Sequence, residues 1–182
     1  MKTQDLLNQY AAREWNFQEV NLANASLSGV NLSRADLSKA DLSRADLSRA
    51  ELSGISFHCA NLTNADLSGA DLTGANLTQV NFIGTDLTGA NLSGADLSGA
   101  DMRCANLHGA NLTGANLTDV ELSGADLSGA CLKNASLSGA SLMGADLMGA
   151  DLTGTDLKEE EMNGETTPTG VSHKWVSWNG SC

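Results

Sequence analysis

Apolar and polar residues follow one another along most of this chain in a pattern that repeats every five positions. Residues 60–64 read Ala-Asn-Leu-Thr-Asn and residues 65–69 read Ala-Asp-Leu-Ser-Gly, and the register holds from Trp15 to Glu159. When the central apolar residue is called position i, there are 29 units; 25 have Leu at i, and 21 have Ala at i−2. Position i−1 is mostly Asp or Asn, i+1 is mostly Ser or Thr, and every glycine within the repeat is at i+2.

Neither a helix nor a flat strand accommodates a period of five. In an α-helix, residues five apart lie about 140° apart around the axis, and side chains of a strand alternate with period two. A short extended segment followed by a turn does fit, with i−2 and i facing inward and i−1 facing outward. Glycine at i+2 supplies the positive φ of the third residue in a type II turn. The pattern therefore predicts a coiled chain around an interior of Leu and Ala.

The unit, Ala-Asp/Asn-Leu followed by two variable residues, resembles the motif of the pentapeptide-repeat family over residues 15–159. The resemblance implies an all-β fold, a right-handed quadrilateral parallel β-helix with four units per coil and a little over seven coils. Some members of that family are DNA mimics that bind type II topoisomerases such as gyrase through a rod-shaped acidic dimer. The resemblance covers the repeat alone and leaves both ends of the chain to be interpreted from their own residues.

Residues 1–14 lie before the repeat and are predicted to form an N-terminal capping helix. Thr3 can cap a helix over residues 4–13, in which Leu6, Leu7, Tyr10 and Ala11 share one apolar face. The open end of a solenoid exposes backbone and apolar side chains, so that a cap is needed. Trp15 is too large for a narrow interior, and it is expected to pack with Phe17 beneath this helix in an open first coil.

Residues 160–182 are predicted to form a linker and a tail that contains Trp175 and Trp178. Aromatic side chains dominate burial and interface energetics, so this tail is expected to make a contact. Three alternatives stay open: the tail covers the last coil near Met143 and Met148, forms a homodimer through the C-terminal end, or binds a partner.

The net charge of −12 and pI of about 4.4 disfavour nucleic acid and anionic membranes as direct partners. No apolar run resembles a signal peptide or a transmembrane span, and the cytoplasm is the predicted location. Cysteine positions do not form a disulfide framework, and Cys59, Cys104, Cys131 and Cys182 are expected to be outward-facing free thiols.

Charge is distributed unevenly along the repeat. A basic collar, Arg34, Lys39, Arg44 and Arg49, occupies four successive i+2 corners of one coil. It is interpreted as solvated surface charge or as a docking collar for an acidic partner. These corners are expected mostly to avoid positive φ, because a Cβ atom is penalised there.

Beyond the collar the chain is strongly acidic. Residues 51–157 contain two basic and twelve acidic residues. Steps of twenty residues place Asp46, Asp66, Asp86, Asp126 and Asp146 on one face, interrupted by Asn106. If each coil advances the solenoid by one strand spacing, this segment carries about one net charge per 2.6 Å of its length, compared with about one per 1.7 Å for duplex DNA. This acidic column is the candidate interaction surface, although the motif itself also favours Asp at i−1.

No residue pattern predicts catalysis, a metal site or a cofactor. A narrow interior filled by Leu and Ala leaves no pocket. His58 beside Cys59 resembles a nucleophile pair, but no third group is evident from the sequence. The sequence therefore favours a non-enzymatic protein-binding or scaffolding solenoid that binds an unidentified protein through its acidic surface. The alternative is a DNA-mimicking modulator of a type II topoisomerase.

Overall fold

The computed structural model of the chain describes residues 1–157. One helix, α1 (Thr3–Ala11), precedes a continuous coil made of isolated parallel β-bridges. The bridges run from Asn16↔Asp36 to Cys131↔Asp151, and each joins residues twenty positions apart. Four five-residue units therefore complete one coil, and equivalent residues of successive coils lie above one another.

Backbone hydrogen bonds explain why a unit of five residues closes a side of the coil. The N–H of Leu22 donates to the carbonyl of Asp41 at 2.7 Å, and the N–H of Asp41 donates to Val20 at 3.0 Å. Within one unit, the N–H of Ala25 donates to the carbonyl of Leu22 at 3.0 Å. The first two bonds join successive coils, and the third closes the turn that leads to the next side.

The interior contains the i and i−2 side chains, as the pattern predicts. Leu92 at position i and Ala90 at i−2 are fully buried, and the larger Phe57 and Phe82 are accommodated at i without exposure. Thr85 is a buried polar side chain at i−2, and its hydroxyl donates to the carbonyl of Leu62 at 2.7 Å. A hydroxyl is tolerated in this apolar interior because it has an acceptor there.

Helix α1 lies against the first coils. Leu6 is fully buried in the core, and Leu7 and Tyr10 pack against it. The Tyr10 hydroxyl donates to the carbonyl of Ser33 at 3.0 Å, and the N-terminal amine donates to Asn21 at 2.9 Å. Leu6, Leu7 and Tyr10 of the predicted apolar face therefore meet the solenoid interior, whereas Ala11 is exposed.

Two details predicted for this end are wrong. Thr3 is the first residue of α1 rather than its cap, and Lys2 at the N-cap position makes no side-chain capping bond. Phe17 is 2% exposed, but Trp15 is 49% exposed instead of being packed beneath the helix. The space beneath α1 is taken by Leu6, so the indole stays outside.

The corners have positive φ whatever residue occupies them. Gly89, Gly94 and Gly99 have φ of 63°, 64° and 66°, which confirms the turn prediction for glycine. The prediction for the basic collar is wrong, because Arg34, Lys39, Arg44 and Arg49 have φ of 64°, 58°, 57° and 56°. From Glu19 to Asn134, each i+2 N–H donates to a carbonyl of the next coil, as Arg34 donates to Ser53 at 3.0 Å. This hydrogen bond outweighs a steric cost of about 1 kcal/mol at each corner.

The cysteines differ from one another. Cys59 and Cys104 are exposed and free. The prediction of an outward-facing free thiol is wrong for Cys131, which is buried and disulfide-bonded. Cys182 lies outside the described residues. Within residues 1–157, no helix is long and apolar enough to cross a membrane.

Candidate interaction surface

The acidic column lies along one face of the solenoid, with its members joined by β-bridges. Asp46 bridges to Asp66 and Asp66 to Asp86, and the same face continues through Asn106 to Asp126 and Asp146. Asp46, Asp66, Asp86 and Asp126 are half-buried, while Asp146 is exposed. Carboxylates therefore recur at one-coil intervals, except at the level of Asn106.

Each carboxylate of the column also stabilises the turn that follows it. Oδ1 of Asp86 accepts hydrogen bonds from the N–H of Thr88 at 2.9 Å and from its hydroxyl at 2.6 Å. Asp126 makes the same pair with Ser128 at 2.8 and 2.6 Å. These are Asx-turns, in which a side-chain oxygen replaces a backbone carbonyl. Only Oδ1 is used in them, so Oδ2 stays available to a partner.

Hydrogen bonding also stabilises the charged form. The side-chain hydroxyl and the backbone N–H of Ser48 lower the pKa of Asp46, against a smaller opposing effect of burial. A carboxylate that accepts hydrogen bonds is favoured over its protonated form. Asp46 is therefore ionised at neutral pH.

The interruption of the column follows the same turn geometry. Oδ1 of Asn106 accepts from the N–H of His108 at 3.0 Å, so an amide caps the turn as a carboxylate does. His108 Nδ1 lies 2.8 Å from the hydroxyl of Ser128. The local structure at this level is retained without charge, which makes Asn a conservative replacement for Asp in this column.

Two corners border the acidic column, and one of them carries glycine at most levels. Above Arg49, the i+2 residue of this corner is glycine at every level described. We call these residues the glycine corner: Gly69, Gly89, Gly109, Gly129 and Gly149. A Cβ atom added at Gly89 or Gly109 would meet nothing within 4 Å. Arg49 Cγ lies 3.6 Å from where a Cβ of Gly69 would be, and His108 Cε1 lies 3.9 Å from that of Gly129. The corner is therefore open at the level of Asp86 and partly covered at the levels of Asp66 and Asp126.

Cations of the acidic segment pair with carboxylates on other faces. Arg103 binds both oxygens of Asp101, with Nε at 2.8 Å from Oδ1 and a terminal nitrogen at 2.6 Å from Oδ2. Lys133 lies 3.5 Å from the carboxylate of Asp151. No cation forms an ion pair with the acidic column within residues 1–157.

The basic collar surrounds the solenoid at the lower end of this column. Arg44 and Arg49 occupy the two corners on either side of Asp46. Lys39 pairs with Glu19 at 3.2 Å, and both side chains are largely exposed. Arg34, Arg44 and Arg49 form no ion pair within the described part of the chain. An exposed pair such as Lys39–Glu19 contributes little to stability.

Of the other candidates, Met148 lies at the upper end of the column, since its N–H donates to Asp146 Oδ1 at 2.9 Å. Trp175 and Trp178 lie outside the described residues, and their contacts stay a prediction. Met143 and Met148 are 60% and 55% exposed. Among residues 1–157, no cluster of three or more His, Cys, Asp or Glu side chains is arranged to bind a metal ion.

Two features of this surface were not predicted from the sequence. The aspartates cap turns, and the two cations of the acidic segment pair with carboxylates outside the acidic column. The first had a sequence signal, since Asp or Asn at i−1 is followed two residues later by Ser or Thr in most units. The second had no usable signal, because Arg103 and Lys133 reach their partners through side-chain geometry.

Comparison with known proteins agrees with this architecture. A family model described as pentapeptide repeats matches this chain in eight copies, over residues 16–54, 55–94, 81–119 and 121–158. HetL, a pentapeptide repeat protein involved in heterocyst differentiation regulation from the cyanobacterium Nostoc sp. strain PCC 7120, is 34% identical. That match covers 95% of this chain and all of HetL, with a TM-score of 0.41.

Likeness to QnrB1, a plasmid-mediated fluoroquinolone resistance protein, shows the fold. The full-length protein is 21% identical over 89% of this chain and 90% of its own, with a TM-score of 0.53. A trypsin-treated form is 23% identical over 79% and 82%, with a TM-score of 0.51. No match was found among curated proteins.

Proposed function

Because the chain belongs to the pentapeptide repeat family, whose members form right-handed β-helices, we propose that it is a non-enzymatic binding solenoid. Its acidic column docks on a cationic surface of a protein partner. The observation that carries this proposal is that no ion pair engages the column within residues 1–157, since the two cations of the acidic segment pair with Asp101 and Asp151 on other faces.

Geometry supports docking on this face in particular. Asp66, Asp86 and Asp126 recur at regular levels and cap their turns through Oδ1, beside the glycine corner. A partner that presents Lys or Arg side chains at matching intervals would form several charge-assisted hydrogen bonds at once. Complementary charge of this kind mainly sets specificity and the rate of association.

A second candidate function is DNA mimicry directed at a type II topoisomerase such as gyrase. It is favoured by the net charge of about one per 2.6 Å in residues 51–157, which is within a factor of two of that of duplex DNA. The QnrB1 likeness supports it at the level of the fold, because that fluoroquinolone resistance protein has the same architecture. On this hypothesis the cationic partner is a DNA-binding groove.

The test removes charge from the column and leaves its turns intact. The column variant carries Asp66→Asn, Asp86→Asn, Asp126→Asn and Asp146→Asn. A matched control removes four charges from the other faces with Asp41→Asn, Asp71→Asn, Asp96→Asn and Glu121→Gln. The aspartates of both sets cap a turn through Oδ1, as Asp71 and Asp96 do with the N–H of Thr73 and Ser98 at 3.0 Å. Asn retains that oxygen, so both variants should fold.

Each protein is used in a pull-down from native lysate and in a gyrase supercoiling assay. We expect the wild type and the control to retain the same partner, with binding that weakens as salt rises, and the column variant to lose it. Equal retention by all three proteins would refute the column as the docking surface. Inhibition of supercoiling by the wild type and control alone would identify the DNA-mimic function, and retention without inhibition would exclude it.

A further inference from the structure

Two exposed free thiols occupy equivalent corners of the solenoid but have different neighbours. Cys59 and Cys104 are both at i+2, with φ of 57° and 56°. His58 precedes Cys59, whereas Arg103 precedes Cys104 and is bound to both oxygens of Asp101. The two cysteines therefore have the same backbone geometry and are both exposed, but the side chains around their sulfur atoms differ.

A chain of hydrogen bonds fixes the imidazole beside Cys59. His58 Nε2 lies 3.3 Å from Cys59 Sγ, and His58 Nδ1 lies 2.7 Å from Thr78 Oγ1. The Thr78 hydroxyl donates to Asn76 Oδ1 at 2.8 Å, and that oxygen also accepts the N–H of Thr78 at 3.2 Å. Because Thr78 Oγ1 uses its hydrogen on Asn76, it can only accept from His58. Nδ1 therefore carries the proton, and Nε2 presents its lone pair to the thiol.

This arrangement has the three parts of an activated nucleophile. Cys59 is the nucleophile, His58 is a base within reach of its proton, and Thr78 orients that base. Only the first two are evident from adjacent residues, because Thr78 belongs to the next coil and reaches His58 through the twenty-residue repeat.

The basic collar supplies an independent indication of the ligand. Lys39 occupies the same corner one coil below Cys59, and its N–H donates to the carbonyl of His58 at 2.8 Å. The Arg34 side chain runs toward Gly54, at the other end of the side that carries His58, with its Cγ 3.6 Å from where a Cβ would lie. Arg34 forms no ion pair within residues 1–157. The thiol is therefore next to the one coil of the repeat whose four corners are all cationic. Lys39 pairs with Glu19, and Asp36, Asp41 and Asp46 lie on the faces of the same coil, so the cation that could hold a small anion near this side is Arg34.

We propose that Cys59 is a thiol–disulfide exchange site that takes small anionic disulfides, of which glutathione disulfide is an example. The thiol proton passes to His58 Nε2, and Sγ attacks one sulfur of the disulfide. The S–S bond of the reagent breaks as the new bond from Sγ forms, and the departing thiolate takes up a proton. The disulfide is the oxidant: one of its sulfurs leaves as a thiol, and Cys59 becomes a mixed disulfide.

The experiment compares Cys59 and Cys104 in the same molecule. Full-length protein is treated at neutral pH with glutathione disulfide, with dianionic dithiobis-nitrobenzoate, or with uncharged dithiodipyridine. The rate at each cysteine is read by peptide mass spectrometry. We expect Cys59 to react on the order of tenfold faster than Cys104 with the uncharged reagent, below the effect of general-base catalysis in enzyme sites. Its advantage should grow with the anionic reagents and shrink as salt rises.

Variants separate the roles of the three groups. His58→Asn keeps a donor for Thr78 but removes the base, and it should lower the Cys59 rate to that of Cys104. Thr78→Val should lower the Cys59 rate in part, and Thr78→Ser should restore it with no change at Cys104. Arg34→Gln should reduce the preference for anionic reagents alone. Thermal melting confirms that each variant is folded.

Equal rates at Cys59 and Cys104 in the native protein would overturn the proposal, as would a Cys59 rate unchanged in the His58→Asn variant. A Cys59 advantage that is the same for charged and uncharged reagents would retain the activated thiol and reject the anionic substrate class.

Discussion

Replacing Asp86 by Ala and by Asn separates the two roles of a carboxylate in the acidic column. Ala removes an oxygen that accepts from the N–H of Thr88 at 2.9 Å and from its hydroxyl at 2.6 Å. That N–H has no other acceptor within the described residues. Losing a hydrogen bond to a charged group costs about 1.5–3 kcal/mol, and half-burial places this site near 2 kcal/mol. For a chain of this size, 2 kcal/mol lowers Tm by roughly 4–8 °C.

The Asn variant should behave differently, because its amide oxygen can accept the same two hydrogen bonds. Asn106 makes this turn one coil above, with its oxygen 3.0 Å from the N–H of His108. We therefore expect Asp86→Asn to stay within about 0.5 kcal/mol of the wild type.

Circular dichroism during thermal and urea unfolding, at one salt concentration, measures both variants. If Asn destabilises as much as Ala, the charge rather than the turn stabilises the solenoid, and the column variant would no longer be a clean test of binding. If Ala leaves Tm unchanged, water replaces the carboxylate at Thr88 and the turn assignment is refuted.

Three further predictions follow from the interior, the corners and the ionised side chains. Leu92→Lys should prevent folding, because it places an unpaired charge at a fully buried position. Asn91→Lys should cost only about 1–2 kcal/mol, because it loses the turn-capping hydrogen bond that Asn91 accepts from the N–H of Ser93 at 3.2 Å. Equal Tm values for the two variants would refute the inside–outside assignment. Gly94→Ala should destabilise by about 1 kcal/mol through its φ of 64° alone, since the added Cβ meets nothing within 4 Å, and unchanged urea unfolding would contradict this. Hydrogen bonds from the backbone and side chain of Ser43 lower the pKa of Asp41 below its unfolded value of 3.8. The stability that this carboxylate contributes is therefore fully present above about pH 5 and lost as pH falls below about 4, and acid unfolding that is complete at pH 5 would argue against it.

Much of the fold was determined by the sequence itself, because one requirement repeats at every unit. An interior of fixed width admits Leu at i and Ala at i−2, and a turn follows two residues later. The pattern alone therefore predicts that Leu92 and Ala90 are buried, and both are. The resemblance to the pentapeptide-repeat family, with its four units per coil, placed Asp66 and Asp86 on one face, and the twenty-residue bridges confirm this.

Only the tertiary structure decided the features that depend on contacts between coils: the corner geometry, the ion pairs and the hydrogen bonds between side chains. Steric preference predicted that Arg44 would avoid positive φ, but hydrogen bonds to the next coil impose one corner geometry on every residue. Arg103 and Lys133 appear in the sequence as scattered cations, and only their side-chain positions show that neither pairs with the acidic column. His58 and Thr78 are twenty residues apart, and the hydrogen bond that orients the imidazole exists because successive coils stack in register. A local pattern determines which way a side chain faces, whereas its partner one coil away is determined by the assembled solenoid.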